Sequence, residues 1–307
     1  MKIGSVKAAL MLSVFLIALL PFGVQASDIA WTIDDLPIHS VDNNVYSRVQ
    51  MAQMILATLK KHDLPPVYGF VNGTTVENHS EGVDVLNAWT AASQPIGNHT
   101  YSHDDLSKMT LKEYLSDIDR NEDVLKMFSN GMDFKIFRYP FLKEGETKEK
   151  REGIRSHLSQ NGYKIAQVTI DYWDFQWNRP VARCLAKGDT QALEELRKLY
   201  VEAAVNELEF SEEFSLRIFG RQIKHIALTH IGVATALFLD DALSAYQSRS
   251  VRFVSLPDAM ADELYDTDTG IISKNGPNFL DQMARVKKVG YPPRQELPLE
   301  KLRKMCL

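Results

Sequence analysis

Residues 29–36 read Ile-Ala-Trp-Thr-Ile-Asp-Asp-Leu, an apolar, β-branched run that ends in two adjacent aspartates. A short run of this kind is the signature of a buried strand. What decides the fold is its recurrence. With 29–33 as the first, similar runs follow at 67–71, 94–97, 134–139, 164–170, 223–229 and 251–256. Apolar residues at helical spacing separate them, over 45–61 (Val45, Val49, Ala52, Leu56, Leu59), 111–128 and 191–208. Strands alternating with helices predict parallel βα units. Seven such units fit a distorted or incomplete (β/α)7 barrel better than a doubly wound sheet. No glycine-rich loop follows the first run, which argues against a nucleotide-binding sheet.

Outward from this core, the two ends of the chain read differently. Lys2 and Lys7 precede an apolar stretch of about fifteen residues, shorter than the roughly 20 a spanning helix needs. Val24-Gln25-Ala26 then gives a small-x-small cleavage pattern. Residues 1–26 are therefore expected to be a signal peptide, 27–264 the barrel, and 265–307 a C-terminal extension packed on it. Gly and Pro are frequent in that extension and periodicity is weak, so an extended wrap is expected. Export to the periplasm or beyond implies an oxidising compartment, in which Cys184 and Cys306 could pair or stay as separate thiols. The composition, with 45% hydrophobic and 24% charged residues among 307, excludes a disordered or fibrous chain. A net charge of −5 without a basic tract speaks against nucleic acid as a partner. The charge-dense stretch 143–155 predicts a solvated helix face.

In a βα barrel the working residues sit where strands end. The strand ends here read Thr32-Ile33-Asp34-Asp35, Asn98-His99-Thr100-Tyr101-Ser102-His103, Arg138-Tyr139-Pro140-Phe141, Asp171-Tyr172-Trp173-Asp174-Phe175 and Leu228-Thr229-His230. His99 and His103, four apart, would share a face if their loop begins a helical turn. Two imidazoles and one carboxylate leave positions open for water, which is the arrangement of a catalytic metal. If the first strand turns at its end, Asp35 can be the carboxylate ligand while Asp34 stays free as a base. Arg138 follows an apolar strand and needs a carboxylate, with Asp34 and Asp174 as candidates. Ile226, Leu228 and His230 share one strand face, which places His230 at the rim as a general acid. His39, His62, His79, His157 and His225 are read as ordinary packed histidines. Tyr172, Trp173 and Trp177 fit either sugar stacking or core packing.

Taken in order, these five segments resemble the motifs of the polysaccharide deacetylase family (the NodB homology domain, carbohydrate esterase family four). The resemblance covers roughly residues 28–260. It implies a distorted barrel, a divalent metal (zinc first, cobalt or nickel as alternatives) and hydrolysis of acetyl groups on glycans. By that resemblance Asp34 is the base and Asp35, His99 and His103 hold the metal. Arg138 orients Asp34, Asp174 stands behind the site, and His230 is the acid. The Phe141 N–H faces the oxyanion, Leu228 borders the acetyl methyl, and Phe175 forms a groove wall. Three positions depart from the family pattern: Leu36 for Gly, Phe141 for Tyr and Phe175 for Trp. None removes a reacting group, so they bear on the substrate more than on the chemistry.

The expected partner is an acetylated glycan, N-acetyl before O-acetyl, with no lasting membrane anchor once the signal is cleaved. Other readings remain beside it. Two histidines and a carboxylate also form the facial triad of non-haem iron oxygenases. The scaffold could instead hydrolyse a non-sugar C–N bond, or bind glycan without turnover. Which glycan, and what oligomeric state, the residues leave open.

Overall fold

The computed structural model describes residues 27–39 and 45–307. The expected signal peptide lies outside the described residues. Among the described residues eight strands run in parallel: β1 (Asp28–Leu36), β2 (Tyr68–Val71), β3 (Ile96–Asn98), β4 (Ile136–Phe137), β5 (Lys164–Ile165), β6 (Ile170–Asp171), β7 (His225–His230) and β8 (Arg252–Phe253). Their order is β5-β4-β3-β2-β1-β7-β6, and β8 pairs with the start of β1. β1 is the longest strand and is paired on both sides, by β2 and β7, and its near-continuous apolar sequence suits such an interior strand.

Strand parity sorts the side chains into two layers. Ala30, Tyr68, Phe70, Ile136, Ala166 and Ile226 point inward and form a small interior core, joined by Leu256 and Ala259. Ile29, Trp31, Ile33 and Val71 point outward into the larger core beneath the helices. The inward face of β7 continues through Leu228 to His230, so the parity read from the sequence holds.

The curled sheet does not close. The single run 164–170 is two strands, β5 and β6, at opposite ends of the sheet. Residues between them cross the seam, with the Ala166 N–H on the Phe137 carbonyl at 2.8 Å and the Thr169 N–H on the Ile226 carbonyl at 3.0 Å. The distorted, incomplete (β/α) barrel is therefore observed, with one more strand than the seven runs.

The helices are α1 (Arg48–Lys61), α2 (Gly73–Asn78), α3 (Gly82–Ala91), α4 (Leu111–Phe128), α5 (Lys148–Gln160), α6 (Asn178–Lys187), α7 (Thr190–Phe219), α8 (Val233–Gln247), α9 (Leu256–Met260), α10 (Phe279–Lys287) and α11 (Leu299–Lys304). Capping boxes start α1 (Ser47 with Gln50) and α4 (Thr110 with Glu113). α7 runs eleven residues past the expected 208. Its further turns carry Phe210, Phe214 and Ile218, which pack on Phe279, Leu280 and Met283 of α10. Gly220, at φ 68°, ends it.

The tail is not the extended wrap the sequence suggested, because α10 and α11 interrupt it. It covers the open seam together with α7: the Phe279 N–H of the tail donates to the Val168 carbonyl at 2.8 Å, and the Ser211 hydroxyl of α7 donates to the Thr169 carbonyl at 2.9 Å. Unpaired strand edges need such partners. Cys184 of α6 and Cys306 form a disulfide, with Cα atoms 5.2 Å apart. Arg183 donates to the Met305, Leu302 and Arg303 carbonyls beside it. Residues 143–155 are also more than a solvated face. Glu144 and Arg151 are buried, and Glu144 accepts from Arg155, Gln167 and Gln282. Among the described residues no helix is long and apolar enough to cross a membrane.

Candidate functional site

The end of β1 is built to turn. Its register with β2 slips between Ile33 and Leu36, and Asp35 takes φ 64°. A bulge of this kind brings neighbouring side chains to one side. His99 Nε2 lies 3.8 Å from Asp34 Oδ2 and 3.3 Å from Asp35 Oδ1, so both carboxylates converge, as a turning strand end requires. Leu36 needs no positive φ, because the left-handed residue is Asp35. Its side chain is buried in the outer core.

The loop after β3 differs from expectation. No helical turn brings His99 and His103 together. Thr100 and His103 are both left-handed, at φ 62° and 59°, and the chain doubles back. Asn98 Oδ1 receives the Thr100 N–H at 2.9 Å, Thr100 Oγ1 receives the His103 N–H at 3.2 Å, and Asp117 receives Ser102. The imidazole centroids end 5.0 Å apart. Left-handed non-glycine residues cost about 1 kcal/mol or more each and persist where the surroundings over-determine them.

Asp35, His99 and His103 form one cluster whose ligand-type atoms lie within 4.8 Å of one another. Asp35 Oδ1 lies 3.3 Å from His99 Nε2 and 3.1 Å from His103 Nε2, yet it is buried without a hydrogen bond. A buried anionic oxygen without a donor is costly. One carboxylate and two imidazoles gathered there suit a divalent cation. His99 Nδ1 pairs with the Arg138 carbonyl at 2.7 Å, which puts its proton there and leaves Nε2 as a lone-pair donor. Burial pushes the Asp35 carboxyl up, but His103, His39 and His99 together hold it well below the ordinary carboxylate range.

Of its two candidate partners, Arg138 takes Asp34. Its Nη1 donates to Asp34 Oδ1 at 3.1 Å, Nη2 to Thr32 Oγ1 at 3.2 Å and Nε to the Ala166 carbonyl at 2.7 Å. Both Arg138 and Asp34 are buried, and the Phe70 ring lies under the guanidinium at 4.5 Å. Asp174 serves His230 instead. Asp174 Oδ1 pairs with His230 Nδ1 at 2.7 Å, and Oδ2 accepts the His230 N–H at 2.8 Å and the Thr235 hydroxyl at 3.1 Å. Burial lowers the affinity of His230 for its proton, but the Asp174 carboxylate outweighs burial and pushes the pKa up to about 10.

Aromatic rings wall the site. Phe141, half-exposed and left-handed at φ 56°, packs on His103 at 4.6 Å. The tail braces its loop: the Ser273 N–H donates to the Gly145 carbonyl, and Gly276 sits where a Cβ would be 1.7 Å from the Phe141 oxygen. Phe175 lies edge-on to His230 at 5.3 Å. Leu228 is buried on the inward face of β7, below His230. Trp177 and Tyr172 are core residues, bonded to the Leu196 carbonyl and to the Tyr200 hydroxyl, while Trp173 is exposed.

Sequence reasoning missed His39. Of the histidines read as ordinary packed residues, His62 and His225 are buried, while His157 and His79 lie nearer the surface. His39 instead meets Asp35 Oδ2 with Nδ1 at 2.5 Å and packs on His230 with centroids 4.7 Å apart and planes inclined by 43°. Asp35, His39 and His230 form a second cluster of potential ligands. The available signal was spacing: His39 stands four residues after Asp35, as His103 does after His99.

The comparisons agree with the motifs. Residues 23–166 match the polysaccharide deacetylase family model. The chain is 27% identical over 128 residues to a chitin deacetylase of Colletotrichum lindemuthianum, covering 41% of this chain and 48% of the relative. It is 28% identical over 150 residues to a peptidoglycan-N-acetylglucosamine deacetylase of Bacillus cereus, covering 49% and 47%. The chain thus spans about half the length of the curated relatives it matches. The solved structure of the Colletotrichum lindemuthianum chitin deacetylase superposes with a TM-score of 0.54 at 21% identity, over 78% of this chain and 89% of that one. The likeness to polysaccharide deacetylases is therefore carried by motifs, by sequence and by fold.

Proposed function

We propose that this protein removes N-acetyl groups from an extracytoplasmic glycan of the chitin or peptidoglycan type by metal-dependent hydrolysis. One observation carries the reading above the rest: the buried, donorless Asp35 Oδ1 between His99 Nε2 and His103 Nε2, with Asp34 on one side and His230 on the other. The names of the relatives, a chitin deacetylase and a peptidoglycan-N-acetylglucosamine deacetylase, support the substrate class. The signal-like residues 1–26 support export, and the disulfide suits an oxidising compartment. We assign 27–264 to the catalytic barrel and 265–307 to an extension that seals its seam.

Asp35, His99 and His103 would hold the cation, with zinc the first choice and cobalt or nickel its alternatives. Bound there, it supplies Lewis-acid polarisation of a water and of the acetyl carbonyl. Asp34 takes the proton of the attacking water. Arg138 keeps that carboxylate aimed, through its bond to Oδ1 and its anchors on Thr32 and Ala166. The backbone N–H of Phe141 donates to the developing oxyanion. Leu228 and Phe175 border the acetyl methyl and the sugar. His230, protonated at neutral pH through Asp174, gives its proton to the departing amine, and acetate leaves.

The test is acetate release from N-acetylglucosamine oligomers and from peptidoglycan, with and without chelator and re-added zinc, cobalt or nickel. Activity that is lost to chelator and restored by metal, and that falls about 10²–10⁴-fold in Asp34→Asn, is expected. Full activity in a folded Asp34→Asn protein contradicts the base assignment.

A further inference from the structure

The tail does more than cover the seam. Phe141 and Leu142, which follow β4, are successive left-handed residues at φ 56° and 55°. Neither is glycine, asparagine or aspartate, so each is unfavourable on its own and the pair needs support from outside the turn. Residues 268–282 give that support, beyond the stretch 23–166 that matches the family model. The Ser273 N–H donates to the Gly145 carbonyl at 3.1 Å. Gln282 Nε2 donates to Glu144 Oε1 at 2.9 Å and to the Pro277 carbonyl at 3.2 Å, and its Oε1 accepts the Thr269 hydroxyl at 2.6 Å. Asp268 pairs with Arg151 and Arg155, the two arginines that also reach Glu144.

Between these anchors lies Gly276, at a place where no side chain fits. A Cβ there would stand 1.7 Å from the Phe141 oxygen and 2.8 Å from the Phe141 and Leu142 carbonyl carbons. Gly276 is not left-handed, and Pro277 after it favours extended backbone, which alanine adopts as readily. Glycine is therefore not needed here for conformational freedom. What it supplies is room for the Phe141 carbonyl to lie against the tail backbone. Retreat of the tail is opposed on either side, by Ser273 on Gly145 and by the Phe279 N–H on the Val168 carbonyl at 2.8 Å. A side chain at 276 must turn Phe141 instead, its N–H with its carbonyl.

We infer that Gly276 is a positioning residue for the oxyanion donor: the tail backbone fixes the Phe141 carbonyl and thereby aims the Phe141 N–H at the acetyl group. The inference rests on the deacetylase reading, in which that N–H stabilises the oxyanion. It makes the C-terminal extension part of the working site, although none of its groups touches substrate. The segment is held at Val168 and Glu144 rather than by the disulfide, which ties residue 306 to α6.

Acetate release from an N-acetylglucosamine oligomer by full-length Gly276→Ala, with zinc added, tests this. A misaimed donor weakens an interaction made in the transition state, so kcat should fall about tenfold or more while KM hardly changes. Loss of a whole oxyanion donor costs about 10²–10³-fold, which bounds the effect. Zinc affinity should equal that of the wild type. Amide exchange should quicken over residues 139–145 and not in α4. Lys274→Ala, an exposed change in the same segment, should leave all four readings unchanged. Gln282→Met has a similar volume but drops the bond to Glu144; it should lower kcat in the same direction, and it carries the test if Gly276→Ala does not fold. A wild-type kcat in folded Gly276→Ala overturns the inference. So does an equal loss in Lys274→Ala, or a loss of kcat that follows a loss of zinc. If no glycan yields acetate with the wild type, the deacetylase reading fails and the inference with it. If the wild type releases acetate and the folded variants match its kcat, the positioning role alone fails.

Discussion

The first half of the chain, to about residue 166, and the second half contribute to the site by different physics. The first half carries Asp34, Asp35, His99, His103, Arg138 and Phe141 at three strand ends, those of β1, β3 and β4. Local backbone does the positioning there, through left-handed residues at Asp35, Thr100, His103, Phe141 and Leu142. The second half supplies His230 and Asp174, 56 residues apart, joined by tertiary hydrogen bonds and held by α8 through Thr235. It also supplies the tail that closes the seam. The family model stops at residue 166, before either member of that pair. A site whose geometry is set by short contiguous turns keeps a readable motif, whereas one set by distant pairing leaves a weaker trace in sequence.

Asp174→Asn tests whether the second half is as necessary as the first. Removing the carboxylate removes the charge that favours imidazolium, so the pKa of His230 falls. In the proposed reaction His230 must be protonated to act as the acid, so the alkaline fall of kcat/KM should begin at lower pH than in the wild type. A loss of about 100-fold at neutral pH is expected. The same linkage acts on stability. A raised folded-state pKa contributes stability that is full below the unfolded value near 6.5 and is lost as pH rises through about 10. Denaturation measured across that window should show the wild type losing its advantage over Asp174→Asn. Parallel pH profiles for the two proteins would break the proposed division of labour.

A smaller effect is expected at the tail. The Cys184–Cys306 bond spans 122 residues of sequence, and removing it in Cys184→Ser/Cys306→Ser should cost about 2–4 kcal/mol of stability. Thermal unfolding reads the loss. Acetate release well below the new transition should stay near the wild-type rate, because the disulfide lies at α6 rather than at the site. A strong loss of activity in the still folded variant would show that the tail supports the site more closely than its contacts suggest.

The same contrast explains what could be read in advance. The strand-end residues, the inward parity of β7 and the span of α4 were legible, because each is a local pattern of spacing or periodicity. The division of 164–170 into β5 and β6 was not. Ala166 and Val168 are buried in either arrangement, so hydrophobicity gives no hint that the chain crosses a seam. The extra turns of α7 depend on α10, which lies some 60 residues on and has no signal within the helix itself. His39 shows the opposite failure. Its spacing from Asp35 was visible, but a lone histidine is so often ordinary that the pattern carried no weight without the fold.

Zinc titration of chelator-treated protein, followed by calorimetry, tests the central claim most directly. One ion per chain is predicted, with binding abolished in Asp35→Ala and in His103→Ala. His39→Ala should weaken it about tenfold, since His39 only fixes the second oxygen of Asp35. Wild-type protein that takes up no divalent ion, or folded Asp35→Ala and His103→Ala proteins that bind it as tightly as the wild type, would contradict the account.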